Sequence, residues 1–89
     1  MENKVLVKLI VPDIEQSFDV FVPINEVIWK VKKMFIKSIC DITNLSLDIN
    51  DNWLMLNKNT SRIYKSNEII IDTDIRNGTE LILITQLIN

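Results

Sequence analysis

The side chains able to do covalent or acid–base chemistry in this 89-residue chain are few and scattered. Histidine is absent, which removes the usual proton shuttle near neutral pH and the commonest metal ligand. Cys40 is the single cysteine, so no intramolecular disulfide and no multi-cysteine zinc or iron–sulfur site can be built. Without a histidine base, and with a helix C-terminus expected close by, its thiolate is a poor nucleophile. The carboxylates are scattered, and two stretches hold a pair each. Asp48-x-Asn50-Asp51 shares part of a calcium-loop spacing but lacks the glycine and the distal bidentate glutamate. Asp72 and Asp74 flank a turn ahead of Ile75. The lone glycine, Gly78, cannot make a phosphate-cradling loop. The chain therefore reads as a non-enzyme: no catalytic residue, no cofactor and no metal are expected.

Composition narrows the partners. Hydrophobic residues at 47% and charged residues at 25% match an ordinary globular domain, neither disordered nor membrane-embedded. The length suits one core, so residues 1–89 are read as a single domain. A net charge of −2 offers no general attraction to phosphate backbones, and nucleic acid is excluded as the expected partner. The apolar run from Val5 to Val11 is broken by Lys8 and stopped by Pro12, too short and too charged for a signal peptide or a membrane span. With one cysteine, these features fit a reducing cytoplasm, and no direct membrane insertion is expected.

The elements that must position any functional surface follow from periodicity. Lys4 to Val11 alternates Val5, Val7, Leu9 and Val11 against Lys4, Leu6, Lys8 and Ile10. Ser17 to Val22 repeats the alternation after a turn at Pro12-Asp13, so the pair reads as a hairpin. Beyond Pro23 the apolar period lengthens to that of a helix. Ile24, Val27, Ile28, Val31, Met34, Phe35, Ile39 and Ile42 share one face, with Asn25 as the expected N-cap and Ile24 with Trp29 as a hydrophobic staple. Asp41 to Asn44 supplies the exit. An Asn/Asp-rich stretch at 45–52 precedes a third strand at Trp53-Leu54-Met55-Leu56. Arg62-Ile63-Tyr64 reads as a short fourth strand, and Asn77-Gly78 as a positive-φ turn before a last strand from Glu80 to Thr85. The expected class is α+β: a mixed sheet of four to five strands with one main helix packed across it.

This order and spacing resemble ubiquitin, most clearly where Ile70, Ile75 and Leu81 stand five and six residues apart. Within that β-grasp superfamily the chain is similar to the YukD/EsaB proteins of type VII secretion loci. The likeness runs from the N-terminal strand through "VPINEVIWKVKKMF" to "RNGTELILI". The resemblance implies a cytoplasmic bacterial accessory or regulatory protein that contacts a secretion-machinery component noncovalently and docks at the inner membrane through that protein. Its main departure concerns the tail. A conjugated modifier or a sulfur carrier needs a flexible terminus ending in Gly-Gly to enter the activating enzyme's channel, whereas this sequence ends Gln86-Leu87-Ile88-Asn89. A modifier or sulfur carrier is therefore the disfavoured alternative, and a weakly self-associating homodimer the other.

If the helix covers one sheet face, the opposite face carries Leu6, Lys8 and Ile10 from the first strand, Met55 from the third, and Ile82 and Ile84 from the last. In ubiquitin the corresponding face carries the main protein-binding patch. These six residues are the first candidate surface; a register shifted by one residue would send such positions into the core instead. The second candidate is a helix strip with Trp29, Ile36 and Cys40 beside Lys30, Lys33 and Lys37, suited to an acidic groove. Its bland alternative is a packed tryptophan among solvated lysines.

Overall fold

Alternating burial along Lys4–Val11 makes the first strand, β1: Val5, Val7, Leu9 and Val11 are buried while Lys4, Leu6 and Lys8 are exposed. In the computed structural model, which describes residues 3–45 and 53–85, a 3-10 turn at Pro12–Ile14 returns the chain into β2, Gln16–Pro23. The two strands pair antiparallel, Val5 opposite Val22 and Leu9 opposite Phe18, so the buried sets coincide. One helix follows, α1 at Ile28–Thr43, then β3 at Trp53–Asn57, a 3-10 turn at Ile70–Asp72, and β4 at Glu80–Thr85. The strand order is β2-β1-β4-β3, with β1 and β4 parallel and the other pairs antiparallel. The expected α+β class with a mixed sheet holds, with four strands among the described residues.

The helix crosses one face of the sheet. Its buried residues Ile28, Val31, Phe35, Ile36 and Ile39 join Val7, Leu9, Met55, Leu81 and Leu83 in one core. Ile70, Ile75 and Leu81, the sequence marks of the second half, are each fully buried. Each aliphatic side chain of this kind removed from water contributes roughly 1.5–3 kcal/mol. The helix ends where Asn44 turns left-handed (φ 59°) and its N–H closes on the Cys40 carbonyl at 2.9 Å. Gly78 adopts φ 87°, as its Asn-Gly context demands.

Four local expectations are corrected. The helix starts at Ile28 after an extended Val27, not at an Asn25 cap, and the Ile24–Trp29 staple positions do not arise. The cause is tertiary. Val27 bridges to Ile69, and the first free helical N–H groups find distant carbonyls: Ile28 donates to Glu68 at 2.8 Å and Trp29 to Ser66 at 3.1 Å. The buried helix face is also rotated, leaving Met34 and Ile42 exposed and taking Ile36 inside. Lys32 goes with it, its ammonium donating to the Trp53 carbonyl at 3.0 Å. Arg62–Tyr64 forms no strand; only Ile63 makes an isolated bridge, to Leu56. The calcium-loop reading at Asp48, Asn50 and Asp51 and the tail Gln86–Asn89 lie outside the described residues.

Candidate protein-interaction face

The sheet face turned away from α1 is organised in rows that cross the strands. Strand register places Ile10 beside Ile82 and Ile82 beside Leu56, while Ile84 stands beside Leu54. All five are half-buried, forming an apolar step across β1, β4 and β3. The next row is charged. Asp19 is the register partner of Lys8, Lys8 of Glu80, and Lys58 reaches Glu80 in an ion pair of 3.2 Å. Beyond it Leu6 pairs with Phe21, 40% and 63% exposed respectively. A hollow of about 440 Å³ opens there, lined by Leu6, Lys8, Asp19, Asn77, Gly78 and Glu80. Its floor is pinned by reciprocal bonds: the Leu6 N–H donates to the Asn77 side chain and the Gly78 N–H to the Leu6 carbonyl, both at 2.8 Å.

Of the first candidate set, Leu6, Lys8, Ile10, Ile82 and Ile84 share this outer face. Met55 does not. It is fully buried, because in β3 the core parity belongs to Trp53, Met55 and Asn57. Leu54 and Leu56 take the outward places of β3 instead of Met55, which is the one-residue shift that strand periodicity allows. No periodic signal could have separated them in an unbroken run of four apolar residues. Phe21 is a further outward residue left out of the candidate set, although its alternation with Val20 and Val22 already turned it outward.

The second candidate strip is only partly assembled. Trp29, Lys33 and Lys37 are exposed, but Ile36 is buried at 1% exposure and belongs to the core. The helix is rolled toward β3, as the Lys32–Trp53 bond records. Trp29 itself is covered by its own lysines, Lys33 at 5.2 Å and Lys30 at 5.5 Å from the ring centre. Lys30 also pairs with Glu26 at 3.7 Å.

A polar cluster braces the segment between β3 and β4. The Tyr64 hydroxyl donates to Asp74 and accepts from the Asn57 amide at 3.3 Å; Arg62 lies 5.2 Å from the Tyr64 ring and pairs with Glu68 at 2.6 Å. Burial, then the bond to Asp74, pushes the Tyr64 hydroxyl up to about 12. These groups satisfy one another, so they read as a structural brace.

No protein-family model matches the chain, and no curated protein matches it in sequence. Solved structures do. The N-terminal ubiquitin-like domain of the 4931431F19Rik protein superposes with a TM-score of 0.69 at 15% identity, over 100% of this chain and 81% of that one. The ubiquitin of Caldiarchaeum subterraneum gives 0.68 at 17% identity, over 97% and 98%. The fold is ubiquitin-like. A chain of the MycP5-free ESX-5 inner membrane complex in State II shares this ubiquitin-like fold, with a TM-score of 0.67 at 12% identity. That match covers 98% of this chain and 22% of the ESX-5 chain. No helix among the described residues is long and apolar enough to cross a membrane.

Proposed function

We propose that this ubiquitin-like domain is a non-catalytic protein-binding module that acts through noncovalent contact as a cytoplasmic accessory or regulatory component of a type VII secretion system. The observation that carries the reading is the outer sheet face, where Ile10, Leu54, Leu56, Ile82 and Ile84 form an apolar step beside a row of charges. A patch of this kind on a small domain serves as a binding site for another protein. The likeness in fold to a chain of the ESX-5 inner membrane complex supports a partner in such machinery and docking at the inner face of the membrane through it.

The test is capture of a solubilised type VII inner-membrane complex on the immobilised chain, comparing wild type with Leu56→Asp and Ile84→Asp. Both positions are half-exposed, so both variants should keep the wild-type circular dichroism spectrum while capture is lost. Undiminished capture by folded variants would remove this face from the proposal. Failure of the wild-type chain to capture the complex at all would remove the secretion partner.

A further inference from the structure

We infer that the outer sheet face is self-complementary and pairs with a second copy of this chain, face to face, about a two-fold axis that runs along the strands between β1 and β4. The inference concerns the face assigned above to partner binding, but it depends on the order of the charges and not on who that partner is. Strand order brings Asp19, Lys8, Glu80 and Lys58 into one row, from β2 across β1 and β4 to the end of β3. The signs along it run minus, plus, minus, plus. Read backwards, such a row is its own complement.

Two symmetric face-to-face arrangements exist, and the charges choose between them. An axis lying across the strands would set every residue of the row against its own copy, placing Lys8 on Lys8 and Glu80 on Glu80. An axis lying along the strands reverses the row, so that Lys8 meets Glu80 of the second copy and Asp19 meets its Lys58. Both kinds of contact are then between unlike charges, each occurring twice by symmetry. Sheets packed with aligned strands stand about 10 Å apart, a gap that lysine and glutamate side chains span between them. Among the described residues, Lys8 and Asp19 have no ion-pair partner, so both side chains can take this role.

The apolar rows agree with the same axis. Reversal sets Ile10 against Ile82 of the second copy, joining the two apolar steps. It also sets the exposed Leu6 over Gly78, where the missing side chain leaves the hollow beside Asn77. Because the dimer covers the face proposed to bind the secretion partner, self-association and partner capture compete.

Charge reversal followed by sedimentation tests this. The wild-type chain should move with concentration from a 10.4 kDa species toward twice that mass. Lys8→Glu alone, and Glu80→Lys alone, each create two like-charge contacts across the axis and should raise the dissociation constant roughly tenfold or more. An equimolar mixture of the two variants restores unlike contacts at every position and should recover the dimer, a rescue that no folding defect can imitate. Single-chain mass for wild type from micromolar to millimolar concentration, undiminished dimerisation of either variant alone, or a mixture that stays monomeric would each overturn the inference. A monomeric chain that still loses its partner on Leu56→Asp would sink the dimer and leave the proposed function standing; a dimer that captures nothing would do the reverse.

Discussion

Met55 and Leu83 are register partners in the β3–β4 ladder, and both are fully buried under α1. Their pairing sets the parity of both strands, which is why Leu54 and Ile84, the neighbouring pair, come out together on the opposite face. Truncating the two sides should therefore differ sharply. Met55→Ala opens a core cavity and should cost about 2–5 kcal/mol, whereas Leu54→Ala should cost less than about half of that. Urea denaturation of the two variants measures the contrast; equal losses would place Met55 outside the core.

Removing the Tyr64 hydroxyl leaves the Asn57 amide and Asp74 without their shared partner. Tyr64→Phe should destabilise the fold by about 1–3 kcal/mol. Asn57 also accepts the Asn59 and Thr60 backbone N–H groups, at 2.9 and 3.2 Å. In a double-mutant cycle, Asn57→Ala and Tyr64→Phe should accordingly show a coupling of about 0.5–3 kcal/mol. Strict additivity would mean the Asn57–Tyr64 contact carries no energy.

The same tyrosine predicts an alkaline limit. Its folded hydroxyl titrates near 12, above the 10.0 of a free tyrosine, so the fold binds the proton more tightly than the unfolded chain does. The stability this adds is complete below pH 10.0 and is lost as pH rises toward about 12. Thermal melts from neutral to strongly alkaline pH should show a falling midpoint above that lower limit, and the fall should be shallower in Tyr64→Phe. Equal slopes in the two proteins would remove Tyr64 as the cause.

Gly78 separates backbone cost from steric cost. A Cβ built there meets nothing within 4 Å, so the penalty of Gly78→Ala should come from φ 87° alone, about 1–2 kcal/mol. Asn44, at φ 59° in the helix C-cap, provides the opposite case, and Asn44→Gly should be neutral or stabilising by up to about 1 kcal/mol. Chemical denaturation ranks the two; a Gly78→Ala protein as stable as wild type would contradict the backbone account.

Period-two burial in β1 and β2 was legible because Lys4, Lys8, Ser17 and Asp19 mark the outward side of strands whose inward side is apolar. The helix was legible from its changed period, and the second half from Ile70, Ile75 and Leu81, which all reach the core. The parity of β3 was not, because Trp53-Leu54-Met55-Leu56 is apolar on both sides and only pairing with β4 decides it. Nor was the helix start: Asn25 is a good cap in isolation, but the carbonyls of Ser66 and Glu68, some forty residues away in sequence, satisfy those N–H groups instead.

By itself, then, the sequence determined the α+β class, the outward character of Leu6, Lys8, Ile10, Ile82 and Ile84, and the exclusion of histidine chemistry, since each depends on residue type and local period. The tertiary structure alone decided that Leu54 and Leu56 complete that surface, that Met55 leaves it, that Ile36 leaves the helix strip for the core, and that Asp19, Lys8, Glu80 and Lys58 form one row. The physical reason is that a row across a sheet joins residues distant along the chain, and strand order and register, neither of which is a local property, choose its members.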